Sequence, residues 1–141
     1  PLLEHYKLGV ATSYLASTQE PSDRQRLADL GNQIQALVPK GERLYVAAYD
    51  AGVYVHADRR PACRFTYPRS TEQMQEILSD LAAGKAYALL IPERPAPEFE
   101  QWCDATCHDQ WNHVLDKYEP VLFVGPYKMW ILKRPERPNP P

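Results

Sequence analysis

The chain lacks the sequence signals of a membrane span, a nucleic-acid binder or a nucleotide enzyme. Its longest uninterrupted apolar runs are Leu44–Tyr49 and Ala86–Ile91, far short of the ~20 residues that cross a bilayer. It has no basic excess: 16 Lys and Arg stand against 18 Asp and Glu, for a net charge of -2 and a pI near 6.1. That balance argues against a general nucleic-acid binder, which carries a basic surplus. Glycine is scarce, with 6 in 141 residues. No G-x-G-x-x-G turn, G-x-x-x-x-G-K-[ST] phosphate loop, H-E-x-x-H pair or G-x-S-x-G elbow occurs, which argues against standard nucleotide, zinc-protease and hydrolase chemistries. Nothing repeats at a fixed period.

What is present is ordinary in bulk and unusual in two residue types. A length of 141 residues suits one domain, and such a domain buries roughly 70% of its unfolded surface. There are 14 prolines, and Pro135, Pro138, Pro140 and Pro141 crowd the end, so residues 135–141 read as an extended tail. Nine tyrosines and three tryptophans read as a core closed with amphipathic rings. The chain opens on Pro1-Leu2-Leu3 without a methionine and reads as a piece of a longer polypeptide. The apolar residues of 1–20 fit no single period, and this stretch reads as a connecting segment.

From Pro21 the periodicity is clear. Ser22 and Gln25 form a capping-box pattern, and Leu27, Leu30, Ile34, Leu37 and Val38 make one helical face, ended by Pro39 and Gly41. Leu44–Tyr49 suits a strand buried on both faces. Ala51–Ala57 reads as a short helix and Ala62–Tyr67 as a second strand. Ser70 and Gln73 cap the next helix, with Met74, Ile77, Leu78 and Leu81 on its inner face and Gly84 at its end. Tyr87–Ile91 reads as a strand stopped by Pro92, and Glu98–Tyr118 as one long helix. Val121–Val124 and Tyr127–Leu132 make a hairpin through Gly125-Pro126. Helix and strand alternate, which predicts an α/β domain over 21–134. The expected form is a three-layer Rossmann-like sandwich with a mostly parallel sheet and a C-terminal antiparallel hairpin.

The chemistry that such a fold would carry centres on Arg43–Tyr67. Sheets of this kind bind ligands at the carboxyl ends of their strands, which makes Asp50 the first candidate for a polar ligand contact. Its structural role would be a helix N-cap, with the carboxylate accepting backbone N–H bonds, and the sequence favours that role. Arg59, Arg60, Arg64 and Arg69 fall close together beside His56, and guanidinium forks suit phosphate or carboxylate. Against ligand binding by Arg59, Arg60 and Arg64 stands a solvated loop with ion pairs to Glu42, Glu72 and Glu76. Arg60, held extended by Pro61, reads as the more structural of the first two. Alternation would send Cys63 and Arg64 to opposite faces.

Cys103 and Cys107 lie four apart on one expected helix face with His108 nearby. They read as small buried hydrophobes rather than metal ligands. A disulfide between them needs a distorted helix, while pairing of Cys63 with either stays open. His5, His56 and His113 read as structural or surface residues, and the acids of 98–116 as a solvated face. No metal or cofactor is expected, and no catalytic residue is assigned.

One resemblance covers roughly residues 21–134. It rests on Leu37-Val38-Pro39-Lys40-Gly41-Glu42 leading into Leu44-Tyr45-Val46, then on Val53-Tyr54 followed by Arg59-Arg60-Pro61-Ala62-Cys63-Arg64-Phe65. It continues through Ala86-Tyr87-Ala88-Leu89-Leu90-Ile91-Pro92 and Tyr118-Glu119-Pro120-Val121, and closes with Phe123–Arg134. These runs resemble the soluble domain that follows the last membrane helix in bacterial polytopic glycosyltransferases of the dolichyl-phosphate-mannose–protein mannosyltransferase and aminoarabinose transferase type. The resemblance implies a non-catalytic extracytoplasmic (periplasmic) domain, with 1–20 as a membrane-proximal connector. Its partners would be the membrane-embedded transferase domain of the same polypeptide and a lipid-linked sugar or acceptor. The family's catalytic acids lie in loops of the membrane domain, so none carries over. Two other readings remain: a self-contained ligand binder or enzyme at the Asp50 crevice, and an interaction module using aromatics such as Trp102 or Trp130.

Overall fold

The structure, a computed structural model, describes residues 21–94 and 97–134. The expected connector at 1–20 and tail at 135–141 lie outside the described residues, as does the Ser22 side chain of the first capping box. The described elements are α1 (Pro21–Leu37), β1 (Leu44–Val46), α2 (Ala51–Ala57), α3 (Thr71–Ala82), β2 (Ala88–Pro92), α4 (Pro97–Gln101), α5 (Ala105–Asp116), β3 (Tyr118–Val124) and β4 (Tyr127–Leu132).

Local chemistry explains several boundaries. Ser70 Oγ accepts from Gln73 N at 3.1 Å, and Gln73 Oε1 accepts from Arg69 N at 2.8 Å. Two otherwise unpaired donors at the start of α3 are thus satisfied. At its end Gly84 takes a φ of 75° and donates to Leu81 O, the left-handed exit expected of it. Gly125, at φ 58°, makes the tight turn between β3 and β4, where Val124 pairs directly with Tyr127.

The strands form one four-stranded mixed sheet in the order β1-β2-β4-β3. Only β1 and β2 run parallel; β2–β4 and β3–β4 are antiparallel. The expected mostly parallel sheet is therefore corrected to a mixed one. The cause is the hairpin: β4 inserts beside β2, and β3 takes the outer edge. Pro120 and a register shift between Pro120 and Leu122 interrupt that edge, devices that discourage strand addition. Val121, Leu122 and Phe123 stand exposed there.

Alternate strand residues feed two cores. Leu44, Val46, Ala88, Leu90 and Met129 meet Leu27, Leu30, Ile34 and Val38 of the α1 side and Val53 of α2. Tyr45 and Leu89 point the other way, onto Met74, Ile77, Leu78 and Leu81 of α3 and onto Cys107 and Val114 of α5. Each fully buried aliphatic contributes on the order of 1.5–3 kcal/mol, so the two layers of side chains dominate the stability.

Two expected elements are corrected. Ala62–Tyr67 is not a strand. It begins beside β1, with Leu44 N donating to Arg60 O and Ala62 N to Leu44 O, and a single parallel bridge joins Leu44 to Pro61. It then turns away, and the successive residues Ala62 and Cys63 both join the same core, where a strand would send them to opposite faces. The long helix expected over Glu98–Tyr118 is two helices with a break at Trp102–Asp104. Asp104 ends the continuity because its carboxylate accepts from Cys107 N at 2.9 Å and caps α5. Tyr118 belongs to β3, with its hydroxyl donating to Ala86 O at 2.7 Å.

Candidate functional site: a basic cleft beside β1

The chain from β1 to β2 passes first over one face of the sheet as α2 and then over the other as α3. Residues 60–66 make the crossing past the β1 edge, and a cleft of about 610 Å³ opens there. Its charged residues are Arg43, Arg60, Arg64, Lys85 and Asp80, and Tyr54, Ala62 and Cys63 lie deeper in its wall. Arg64 makes a two-pronged contact with Glu76, at 3.2 Å from Nε and 2.7 Å from Nη2. Lys85 Nζ reaches Asp80 Oδ1 at 2.7 Å. Arg43 and Arg60 are exposed and form no ion pair among the described residues. Burial pushes the Cys63 thiol up to about 12, so this wall carries a neutral thiol.

Arg59 faces the other way. It is 8% exposed and clamps α1 to the end of α2. Its Nε and Nη2 donate to Val38 O at 3.1 and 2.8 Å, Nη2 also to Gln35 O at 3.4 Å, and Nη1 to Ala57 O and Asp58 O at 3.3 and 3.0 Å. Asp58, left-handed at φ 53°, turns the chain so that Arg59 points inward. The expected order of the two arginines is thus reversed: Arg59 is structural and Arg60 is the one on the surface.

Asp50 stands at the N-cap position of α2, but its side chain makes no capping bond. Its Oδ2 instead accepts from the Tyr127 hydroxyl at 2.9 Å, tying the start of α2 to the start of β4. Burial holds its pKa above the usual carboxylate range, partly offset by the Tyr127 bond and by Arg26 and His56 nearby. His56 is lowered by desolvation, which Asp50 opposes. Beyond the end of β1, on the α3 and α5 side of the sheet, the chain places a cluster of rings. Tyr49, Tyr67 and Phe99 stack edge to face at 4.9 and 5.4 Å, and a cavity of only about 150 Å³ remains beside Phe99 and Trp111. Trp102 and Trp130 are half-buried.

Cys103 and Cys107 form a disulfide, correcting their reading as separate buried hydrophobes. The break between α4 and α5 supplies the distortion that a continuous helix would have lacked, because Cys103 precedes the Asp104 cap. Neither sulfur remains as a thiolate ligand. Among the described residues no three His, Cys, Asp or Glu side chains converge as a metal site.

The structure therefore brings Arg60 and Arg64 together in one cleft and leaves Arg59 and Asp50 outside it. It adds two residues that sequence reasoning missed, Arg43 and Lys85. Their signal was weak: each stands alone at the margin of an element, and only the crossing of residues 60–66 gathers them. Comparison of the chain with family models, curated proteins and solved structures finds no match.

Proposed function

We propose that this chain is a non-catalytic accessory domain of an integral-membrane glycosyltransferase that transfers a sugar from a lipid-phosphate carrier. In this reading it lies on the extracytoplasmic, periplasmic face of the membrane. It assists donor or acceptor binding, or stabilises the membrane-embedded part of the same polypeptide. The observation that carries the reading is the chemistry of the cleft: four cations line it against one acid, Asp80, and its only thiol is held neutral by burial. Such a surface holds an anionic group rather than transforming one.

Three further features support it. The sequence runs named above resemble this family's soluble domain. The Cys103–Cys107 disulfide fits an oxidising compartment. The two cores on opposite strand faces favour relating the domain to Rossmann-like three-layer sandwiches, with the antiparallel hairpin in place of further parallel strands. No helix among the described residues is long and apolar enough to cross a membrane, so the reading places the transferase's spans elsewhere in the polypeptide. The engagement of the Asp50 carboxylate by the Tyr127 hydroxyl weighs against the self-contained ligand binder.

The coding sequence upstream of Pro1 tests the proposal. It is expected to encode a series of apolar helices of ~20 residues each. An open reading frame that starts within a few codons of Pro1 overturns it.

A further inference from the structure

The cleft contains one relationship more specific than its overall charge. Leu44 and Pro61 are partners in a parallel bridge, held by Leu44 N to Arg60 O at 3.0 Å and Ala62 N to Leu44 O at 2.9 Å. The preceding residue on each segment is an arginine. Parallel neighbours lie about 5 Å apart and direct paired side chains to the same side. Arg43 and Arg60 are thus set side by side by backbone hydrogen bonds, and both line the cleft.

Two adjacent guanidiniums repel each other, and an ordinary surface offsets this with nearby acids. Here the acids go to the other two cations: Glu76 takes Arg64 and Asp80 takes Lys85. The described residues offer Arg43 and Arg60 no ion pair. The charge left open is that of two arginines. A phosphomonoester carries about −1.5 to −2 at neutral pH and presents oxygens that two forks can grip. The rest of the wall is less polar, with Ala62 and Cys63 beside the arginines and the Thr66 hydroxyl further along. A cleft of about 610 Å³ has room for an organic body beyond the phosphate.

We propose that Arg43 and Arg60 form a binding site for the phosphate of an organic phosphomonoester, whose body lies along the wall from Ala62 to Thr66. The site is the same cleft that carries the accessory-domain reading, so the inference rests on that cleft's being a binding surface. The phosphate can come from a free sugar phosphate or from a lipid headgroup, because the two arginines recognise the group common to both.

The test uses the full 141-residue chain. One arm titrates it with glucose 1-phosphate by calorimetry, with inorganic phosphate and glucose as references. The other measures co-sedimentation with phosphatidylcholine vesicles with and without phosphatidic acid. Binding in either arm is expected to fall at least tenfold in the double variant Arg43→Gln/Arg60→Gln, and much less in Arg64→Gln, whose guanidinium is already engaged by Glu76. Both target side chains are exposed and their structural bonds are made by backbone atoms, so an unchanged melting temperature separates lost binding from lost fold. Binding in the first arm alone assigns a free sugar phosphate, and binding in the second alone assigns a lipid headgroup. No binding in either arm overturns the inference, as does equal binding by wild type and double variant. Either outcome leaves the upstream-sequence test of the accessory-domain reading to stand or fall separately.

Discussion

Gly31 of α1 lies directly against the backbone of His56 in α2: a Cβ at position 31 would stand 2.4 Å from the His56 carbonyl oxygen. The same carbonyl accepts from Gln35 Nε2 at 3.1 Å, one turn further along α1. The helices are thus joined backbone to side chain at close range, and glycine is present for proximity rather than for an unusual φ. Alanine at position 31 would gain about 0.5–1 kcal/mol of helix propensity. It would also force two backbones apart, a change that typically costs 1–3 kcal/mol. Gly31→Ala is therefore expected to lower stability by about 1–2 kcal/mol in urea unfolding. A variant at least as stable as wild type would show that the helices separate freely.

Arg59 gathers carbonyls that the end of α1 leaves without helical donors, where the helix dipole also favours a cation. Arg59→Ala strands the Val38 carbonyl in the interior and is expected to cost about 2–4 kcal/mol. Arg59→Lys should recover only part of this, because one ammonium cannot span acceptors on both α1 and α2 as a planar fork does. Chemical denaturation of both variants measures it. Stability within about 0.5 kcal/mol of wild type for Arg59→Ala, the range of an ordinary surface substitution, would contradict the clamp.

Asp50 gives a pH signature with a definite sign. Its folded pKa is raised, first by burial. Between the ordinary carboxylate range and that raised value, the folded chain binds more protons than the unfolded one. Stability then falls as pH rises through this window, and the cost is fully present at neutral pH. Asp50→Asn keeps an oxygen for the Tyr127 hydroxyl and removes the buried charge. It is expected to be more stable than wild type at neutral pH, with the difference closing on acidification to about pH 4. Arg26 and His56 act against this effect, so a neutral-pH loss of stability would mean that their attraction outweighs burial.

Two buried tyrosines predict opposite responses to loss of a hydroxyl. Tyr45 is fully buried and its hydroxyl has no hydrogen-bond partner among the described residues, and burial raises its pKa well above the usual value. Tyr118 donates to Ala86 O. Removing an unsatisfied polar atom is neutral or favourable, whereas removing a bonded one costs about 1 kcal/mol or more. Thermal melting should show Tyr45→Phe at or above wild type and Tyr118→Phe below it. The reverse order would show that Tyr45, not Tyr118, holds the stronger bond.

The cysteines predict a count that mass spectrometry can read. Native oxidised protein should take up no iodoacetamide, because Cys63 is buried and its thiol is pushed up to about 12. Unfolded without reductant, it should take up a single adduct. Reduction opens a loop with a sequence separation of only 4, so the expected destabilisation is modest, about 2 kcal/mol on chain-entropy grounds. Three adducts on unreduced unfolded protein would show that the disulfide is absent.

Elements legible in the sequence were those whose signal is local. Leu27, Leu30, Ile34 and Val38 recur at helical spacing and all four are buried. Ser70 and Gln73 mark the start of α3, Gly84 its end, and Gly125-Pro126 the hairpin. Where local patterns competed, reading along the chain failed. The stripe from Phe99 to Tyr118 looked like one helix because its apolar spacing is nearly continuous, yet Asp104 stops it by capping α5. Residues 62–67 looked like a strand because their composition suits one. The chain makes one bridge to β1 at Pro61 and leaves, since Ala62 and Cys63 both turn into the second core.

The sequence by itself determined the first three helices, that a C-terminal antiparallel hairpin joins the sheet, and that arginines crowd the stretch after α2. The tertiary structure alone decided what those arginines do. Arg59 and Arg60 are neighbours with the same side chain, and the one local difference between them, Pro61 after Arg60, points the wrong way. A left-handed turn at Asp58 sends the first to the carbonyls of α1. The bridge from Leu44 to Pro61 sets the second beside Arg43, which lies far away along the chain. Side-chain direction in an irregular segment follows from the backbone to which that segment hydrogen-bonds, and such long-range pairing leaves no period in the sequence.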